Sequence, residues 1–314
     1  MGVIEVSSMA KSYGRLAVLR NIALEVDGGE TVAVLAPNGA GKTTLMKILD
    51  GSIRPSTGEV RVLGRDPVAA GRSWRKQLGI VAQQPAADPR STVHDAVAQR
   101  AACYPHPWRT RKVLELVGLA DRGGQPVATL SDGELRRLDL ALGVVGRTQL
   151  LLLDQPTAGF DPAFREVAWH LLRQLARAGA AVVLTTRCPR EAEALGDRVL
   201  VLSHGAVVAD DDPRRLVERH GPVVVRFELP ERFDGAVLPV PAIRRDRYWE
   251  LHTHTSTRDI AVLCAWALDR RVELPAVQIV RPSLEDAYRT LVGEVGDDEE
   301  LDHNPRPWTR VAAG

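Results

Sequence analysis

The stretch Ala36-Pro-Asn-Gly-Ala-Gly-Lys-Thr-Thr44 decides how the chain around it folds. Before it, Thr31–Leu35 (TVAVL) is a short β-branched run. After it, Lys42–Asp50 places Leu45, Ile48 and Leu49 on one helical stripe. A strand, a glycine-rich turn and a helix, in that order, make a phosphate-binding loop. The successive backbone N–H groups over Ala36, Pro37, Asn38, Gly39, Ala40, Gly41, Lys42, Thr43 and Thr44, proline excepted, and the helix N-terminus can surround a phosphate. Lys42 would bridge the β- and γ-phosphates, and Thr43 would ligate Mg²⁺. Gly39 and Gly41 let the backbone approach closely, whereas Ala36 stands where the strict pattern has glycine.

The flanking sequence alternates strands with helices. Leu150–Asp154 (LLLLD) is a continuous apolar run, as expected of a strand buried on both faces, and it ends in a carboxylate suited to Mg²⁺. Gly58–Gly64, Ala180–Thr185 and Arg198–Ser203 also read as strands. Pro162–Ala178 and Arg190–Gly196 read as helices, and Thr92–Leu119 as helical but broken by Pro105 and Pro107. The fold class is therefore α/β with a mainly parallel sheet. Near Arg219–Pro222 the texture changes. Strands are expected at Val223–Leu229, Arg247–Thr255 and Val272–Val280, and helices at Thr257–Leu268 and Leu284–Leu291, forming a small α+β unit. The expected division is residues 1–218, residues 219–293, and an acid-rich, disordered tail over 294–314.

Composition bounds the function. The 314 residues are 45% hydrophobic and 26% charged, with a net charge of +1. That balance disfavours a nucleic-acid binder, which would carry a basic stripe. Cys103, Cys188 and Cys264 lie far apart, in neither a disulfide nor a metal-ligand spacing, so a reducing cytosol is the default. No apolar run approaches the ~18–20 residues that span a bilayer. His252 and His254 share a strand face, where a solvated surface is expected ahead of a metal site. Trp74, Trp108 and Trp169 are expected to pack, with Trp108 a weaker candidate for contact with a membrane partner.

The order of motifs over residues 1 to about 215 resembles the nucleotide-binding subunit of an ABC transporter. Tyr13 in KSYG sits where that family stacks a ring on adenine. Gln83 in GIVAQQP matches the loop glutamine that reaches Mg²⁺. Leu130–Glu134 (LSDGE), with Ser131, Asp132, Gly133 and Glu134, matches the signature that closes on a partner's nucleotide. LLLLDQPTAGFDP matches the second nucleotide motif with its D-loop, Asp161, and VVLTTRCPREAEALGDRVLVL matches the switch region. The closing segment RPSLEDAYRTLVG resembles that of exporter ATPases of the daunorubicin-resistance type. The resemblance implies a P-loop NTPase fold of the ABC type, a RecA-like core with antiparallel β and helical subdomains, plus the small C-terminal unit. It implies ATP and Mg²⁺ as cofactors, with Thr43, Gln83 and Asp154 as metal ligands. It also implies a second ATP-binding subunit, a separate transmembrane permease subunit, and a cytoplasmic place at the inner face of the membrane.

Three positions depart from the family pattern. Gln155 replaces the glutamate that acts on water, Arg187 replaces the switch histidine, and Asp132 replaces the first signature glycine. An amide cannot take a proton from water at neutral pH. Losing a general base costs about 10²–10⁴ in rate. A carboxylate at 132 would face the partner's phosphates, and a heterodimer with an intact partner is damaged less than a homodimer. The first expectation is an ATP-binding exporter subunit with weak or absent hydrolysis. A slow ATPase, with Gln155 orienting water and Arg187 as an arginine finger in cis, competes with it. The other class is a nucleotide-gated regulatory or scaffolding protein outside transport.

Overall fold

A computed structural model describes residues 2–83, 87–230, 233, 237–245 and 247–293. The expected acidic tail lies outside the described residues. Two strands open the chain, β1 (Ile4–Tyr13) and β2 (Leu16–Val26). Then β3 (Thr31–Leu35) runs into α1 (Lys42–Leu49), followed by β4 (Thr57–Val62), a one-turn α2 (Arg72–Arg75) and β5 (Leu78–Val81). A helical region holds α3 (Val93–Ala101), α4 (Thr110–Leu116) and α5 (Asp132–Val144). The chain re-enters the sheet through β6 (Leu150–Asp154), α6 (Pro162–Arg177), β7 (Ala181–Thr186), α7 (Pro189–Leu195) and β8 (Arg198–Ser203). It leaves by β9 (Ala206–Asp211) and α8 (Pro213–His220).

The main sheet has six strands in the order β5-β6-β7-β3-β8-β9, parallel except for β9. Alternate side chains of each strand enter opposite layers. Leu35, Leu153, Leu184 and Val201 pack beneath α3 to α7. Val34, Leu152, Val183 and Leu200 meet α1 and the antiparallel sheet β2-β1-β4. All five residues of β3 and of β6 are buried, as their unbroken apolar runs require of central strands.

The expected breaks at Pro105 and Pro107 separate α3 from α4. The helix α5 then lies against β5 through backbone. A Cβ on Gly79 would fall 2.2 Å from the Gly143 carbonyl oxygen, and one on Gly143 2.4 Å from Val81 Cγ2.

Past α8, four short strands form an antiparallel sheet in the order β11-β12-β10-β13: β10 (Val223–Phe227), β11 (Ala242–Arg245), β12 (Tyr248–Thr253) and β13 (Gln278–Val280). One helix, α9 (Ser256–Asp269), covers it, burying Leu263 and Trp266 on Val225, Phe227 and Leu251. The expected strand Val272–Val280 shrinks to its last three residues. Val272 N–H instead caps α9 by bonding the Ala267 carbonyl, Arg271 and Ala276 adopt left-handed φ, and Pro275 has no N–H to give. The last helix, α10 (Leu284–Val292), buries Leu284 in the large core and, with Ala287 also buried, packs on α7 and α8.

Gly143→Ala should force α5 away from β5 and cost roughly 1–3 kcal/mol. Urea unfolding would read this as a lower midpoint at unchanged slope.

Candidate functional site

The sheet brings the C-terminal ends of β3, β6 and β7 together, with Asp154 in register with Thr185 and Leu35 with Thr186. The phosphate loop leaves β3 there. Ala36 is buried, its N–H bonds the Thr186 carbonyl at 3.1 Å, and it keeps an ordinary φ, so a methyl fits where the pattern has glycine. Gly41 does need to be glycine. Its φ is 102°, and a Cβ would fall 2.6 Å from Leu19 Cδ2 and 3.0 Å from the Val18 carbonyl oxygen.

Lys42 opens α1 and is 5% exposed. Its ammonium donates to the carbonyls of Ala36 (2.8 Å) and Pro37 (2.7 Å), folding back over the loop. Burial first, and then the Arg187 charge, push its pKa down to about 8, with Asp154 pulling the other way. Such a lysine gains from an anion. Arg187 is exposed and donates to Asn38 Oδ1 at 3.4 Å. Ala40 is buried and Thr44 half-buried on the same turn.

Three oxygens converge beside Lys42. Thr43 Oγ1 donates to Asp154 Oδ2 at 2.8 Å and lies 3.5 Å from Gln83 Oε1. The other Asp154 oxygen accepts from Thr185 Oγ1 at 2.5 Å. A hydroxyl, a carboxylate and an amide oxygen form a hard-donor set of the type Mg²⁺ takes alongside phosphate oxygens. The residues thus fit both groups: a glycine cradle with a buried cation for phosphates, and an oxygen cluster for the metal. Gln155 follows Asp154 in a left-handed conformation, φ 52°, with its N–H bonding both the carbonyl and the hydroxyl of Thr185.

The remaining expected residues stand apart. The side-chain bonds of Ser131 and Glu134 run to each other and to Arg122, not to the cluster around Lys42. Tyr13 is half exposed, with Lys11 Nζ 5.1 Å from its ring centre. Ser131 caps α5 in a reciprocal box with Glu134, which also bonds Arg122 at 2.9 Å. The Ser131 bonds, backbone first, hold the Glu134 carboxyl below its usual range. Asp132 occupies the first turn of α5, where a negative charge is favoured by the helix dipole, and Gly133 follows it. Asp161 caps α6, and its pKa is lowered by the Phe164 N–H and then by Arg137. Arg137 pairs with Asp161 at 2.8 Å and lies 3.9 Å from the Phe164 ring centre.

Two residues that the sequence reading passed over complete the site. Thr185 holds both Asp154 and Gln155, and its signal was a hydroxyl ending an otherwise apolar strand. Arg137 ties the signature helix to the D-loop, a pairing across 24 residues with no local signature. His252 lies 3.6 Å from Glu250, and among the described residues no group of three metal-ligating side chains occurs. Trp74 is buried and bonds the Val62 carbonyl, while Trp108 packs on the core with Arg147 over its ring.

A parallel sheet whose strand ends carry a glycine cradle, a buried lysine and an oxygen cluster defines a P-loop nucleotide-binding protein. The family model described as ABC transporter matches residues 19–158, and one described as the C-terminal domain of ABC transporter domain-containing protein-like chains matches 223–283. The doxorubicin resistance ATP-binding protein of Mycobacterium tuberculosis is 30% identical, over 96% of each chain. The Nod factor export ATP-binding protein I of Rhizobium sp. (strain N33) is 33% identical, over 92% of this chain and 97% of its own. A solved ATP-binding subunit of an ABC transporter superposes with a TM-score of 0.64 at 23% identity, covering 69% of this chain and 92% of its own. A bacterial ABC transporter cassette solved as a dimer gives a TM-score of 0.60 at 24% identity, over 67% and 98%. The chain belongs to the ABC transporter family of ATP-binding proteins. Its fold is that of the ABC cassettes, as the order of motifs implied.

A phosphate on Lys42 relieves the burial penalty and raises its pKa again. Nucleotide binding near pH 9 should therefore take up close to one proton, read by calorimetry in two buffers of different ionisation heat. Apparent affinity should fall by up to about tenfold per pH unit above the free value. In the free protein, the native state holds fewer protons than the unfolded chain between about 8 and 10.5. This group's contribution to stability therefore rises with pH across that window.

Proposed function

We propose that this chain is the ATP-binding subunit of an exporter, and that it holds ATP with Mg²⁺ while hydrolysing it weakly or not at all. The names of its relatives, which speak of drug resistance and Nod factor export, support the export reading. Gly39 to Thr44 and Lys42 take the phosphates, Thr43, Gln83 and Asp154 take the metal, and Tyr13 offers its exposed ring to the base. Among the described residues no helix is long and apolar enough to cross a membrane, which agrees with separate transmembrane permease subunits. The chain would then sit peripherally at the inner face.

The observation that carries weak turnover is the pair Gln155 and Arg187. The backbone of Gln155 is pinned beside Asp154 by Thr185, which supports reading it at the family's water-activating position, where an amide cannot act as a base. The expected loss is about 10²–10⁴ in rate, or about 3–5.5 kcal/mol. Arg187 adds a permanent charge at Asn38 where the family has a titratable ring. In the dimer, each composite site pairs one subunit's loop with the other's signature. A heterodimer confines Gln155 and Arg187 to one site and Asp132 to the other, so we favour a heterodimer over a homodimer.

The contact of Arg187 with Asn38 also favours a second reading, in which the arginine neutralises charge in cis during slow hydrolysis. The purified chain should bind ATP but turn it over far below about 1 s⁻¹, and a rate at or above that overturns the proposal. Arg187→Ala should abolish any slow rate on the second reading and leave it unchanged on the first. Within the complex formed with its partner, Gln155→Glu should raise phosphate release at least about tenfold. Purification from native membranes without any membrane protein would point instead to a regulatory or scaffolding protein.

A further inference from the structure

We propose that Glu191 is a positioning residue: its buried carboxylate fixes Gln155, Asp161 and Arg187 relative to one another. The proposal rests on the reading that Gln155 and Arg187 face the terminal phosphate. Glu191 lies in the first turn of α7 and is 3% exposed. A carboxylate is rarely buried without reason, because desolvation disfavours its charge. Here a single oxygen, Oε1, accepts from two segments at once: the Thr157 hydroxyl and, at 3.1 Å, the Trp169 indole N–H.

Each segment carries a different part of the site. Thr157 stands two residues after Gln155, in a tight turn where Ala158 N–H bonds the Gln155 carbonyl. It is itself buried, so the hydroxyl has no access to solvent as a substitute. Trp169 belongs to α6, the helix that Asp161 caps. Glu191 stands four residues after Arg187, on the helix that the switch opens. The near side of the switch is pinned as well. Thr186 accepts from Ala36 N–H through its carbonyl and from Cys188 N–H through its hydroxyl. Arg187 is thus held between a sheet end that touches the phosphate loop and a helix anchored on Glu191.

Charge-assisted bonds to a carboxylate are short and stiff, and the N-terminal turn of α7 favours the negative charge. A water-filled or purely apolar contact at this place would hold α7 but would not link the turn after β6 to α6. The phosphate cradle itself, Gly39 to Thr43 with Lys42, makes no bond to Glu191. Binding of a diphosphate should therefore depend little on this carboxylate, whereas discrimination of the triphosphate should depend on it.

The test is the affinity of the full chain for ATP and for ADP, read by displacement of a fluorescent nucleotide, with the thermal midpoint followed in parallel. Glu191→Ala should weaken ATP about tenfold and ADP less than about twofold. Glu191→Gln, whose Oε1 can accept the same two bonds, should stay within about twofold of wild type for both. Thr157→Val should reproduce part of the ATP loss, about threefold, and add nothing to Glu191→Ala in the double variant. Equal losses for ATP and ADP, or a lowered midpoint with an unchanged ATP preference, overturn the proposal. If Glu191→Ala does not fold, Thr157→Val decides alone, and an unchanged ATP preference overturns it. Arg187→Ala separates the underlying reading. If it leaves the ATP preference intact, the assignment of Arg187 to the terminal phosphate fails. If it lowers the preference and Glu191→Ala does not, only the role of Glu191 fails.

Discussion

The Asp154 carboxylate sits at 3% exposure among three strand ends, and the nucleotide site is arranged around keeping it there. One oxygen is held by Thr185 from β7 and the other by Thr43 from α1. Those two bonds fix how far α1 stands from the sheet, and hence where Lys42 and the glycine cradle lie. They also fix Gln155, whose N–H bonds the Thr185 carbonyl and hydroxyl. Leaving a buried carboxylate unsatisfied costs several kcal/mol, so the register between β6 and β7 carries more of the site's order than any surface pair does. By contrast, exposed ion pairs such as Arg111 with Glu115 are worth about 0–1 kcal/mol each.

Much of this was legible from the residues because its causes are local. The loop from Ala36 to Thr44 announces itself through glycines that the backbone needs at Gly41, and β6 through an apolar run closed by a carboxylate. The first two strands were not legible. Their alternation is interrupted by left-handed Ser8 and Asn21 and by shifts of register, so no clean period of two survives. The strand expected from Val272 failed for the opposite reason: apolar residues were present, but the backbone there was already committed to ending α9. Glu191 was hidden because a glutamate on a short helix reads as solvated, and only the fold brings Thr157 and Trp169 to it.

The signature segment shows how a substitution can be tolerated locally while altering an assembly. Asp132 sits in the first turn of α5, where the helix dipole suits an acid. On the signature's resemblance, any cost would fall instead on a surface facing another subunit's phosphates. The near-zero net charge of the chain conceals a locally cationic site at Lys42 and Arg187.

The small antiparallel sheet leaves and rejoins the large core through α8 and α10, two helices packed on one another. At the neck the two passages touch, with a Cβ on Gly221 falling only 2.6 Å from Pro282 Cβ. A segment whose ends are already clamped together contributes little closure entropy when it melts. The sheet and α9 pack about a small core of their own, with Val225, Phe227, Leu251, Leu263 and Trp266, and hang from that neck like a sleeve from a fixed cuff. Natural variation in the length or even the presence of that sleeve would then leave the nucleotide chemistry intact.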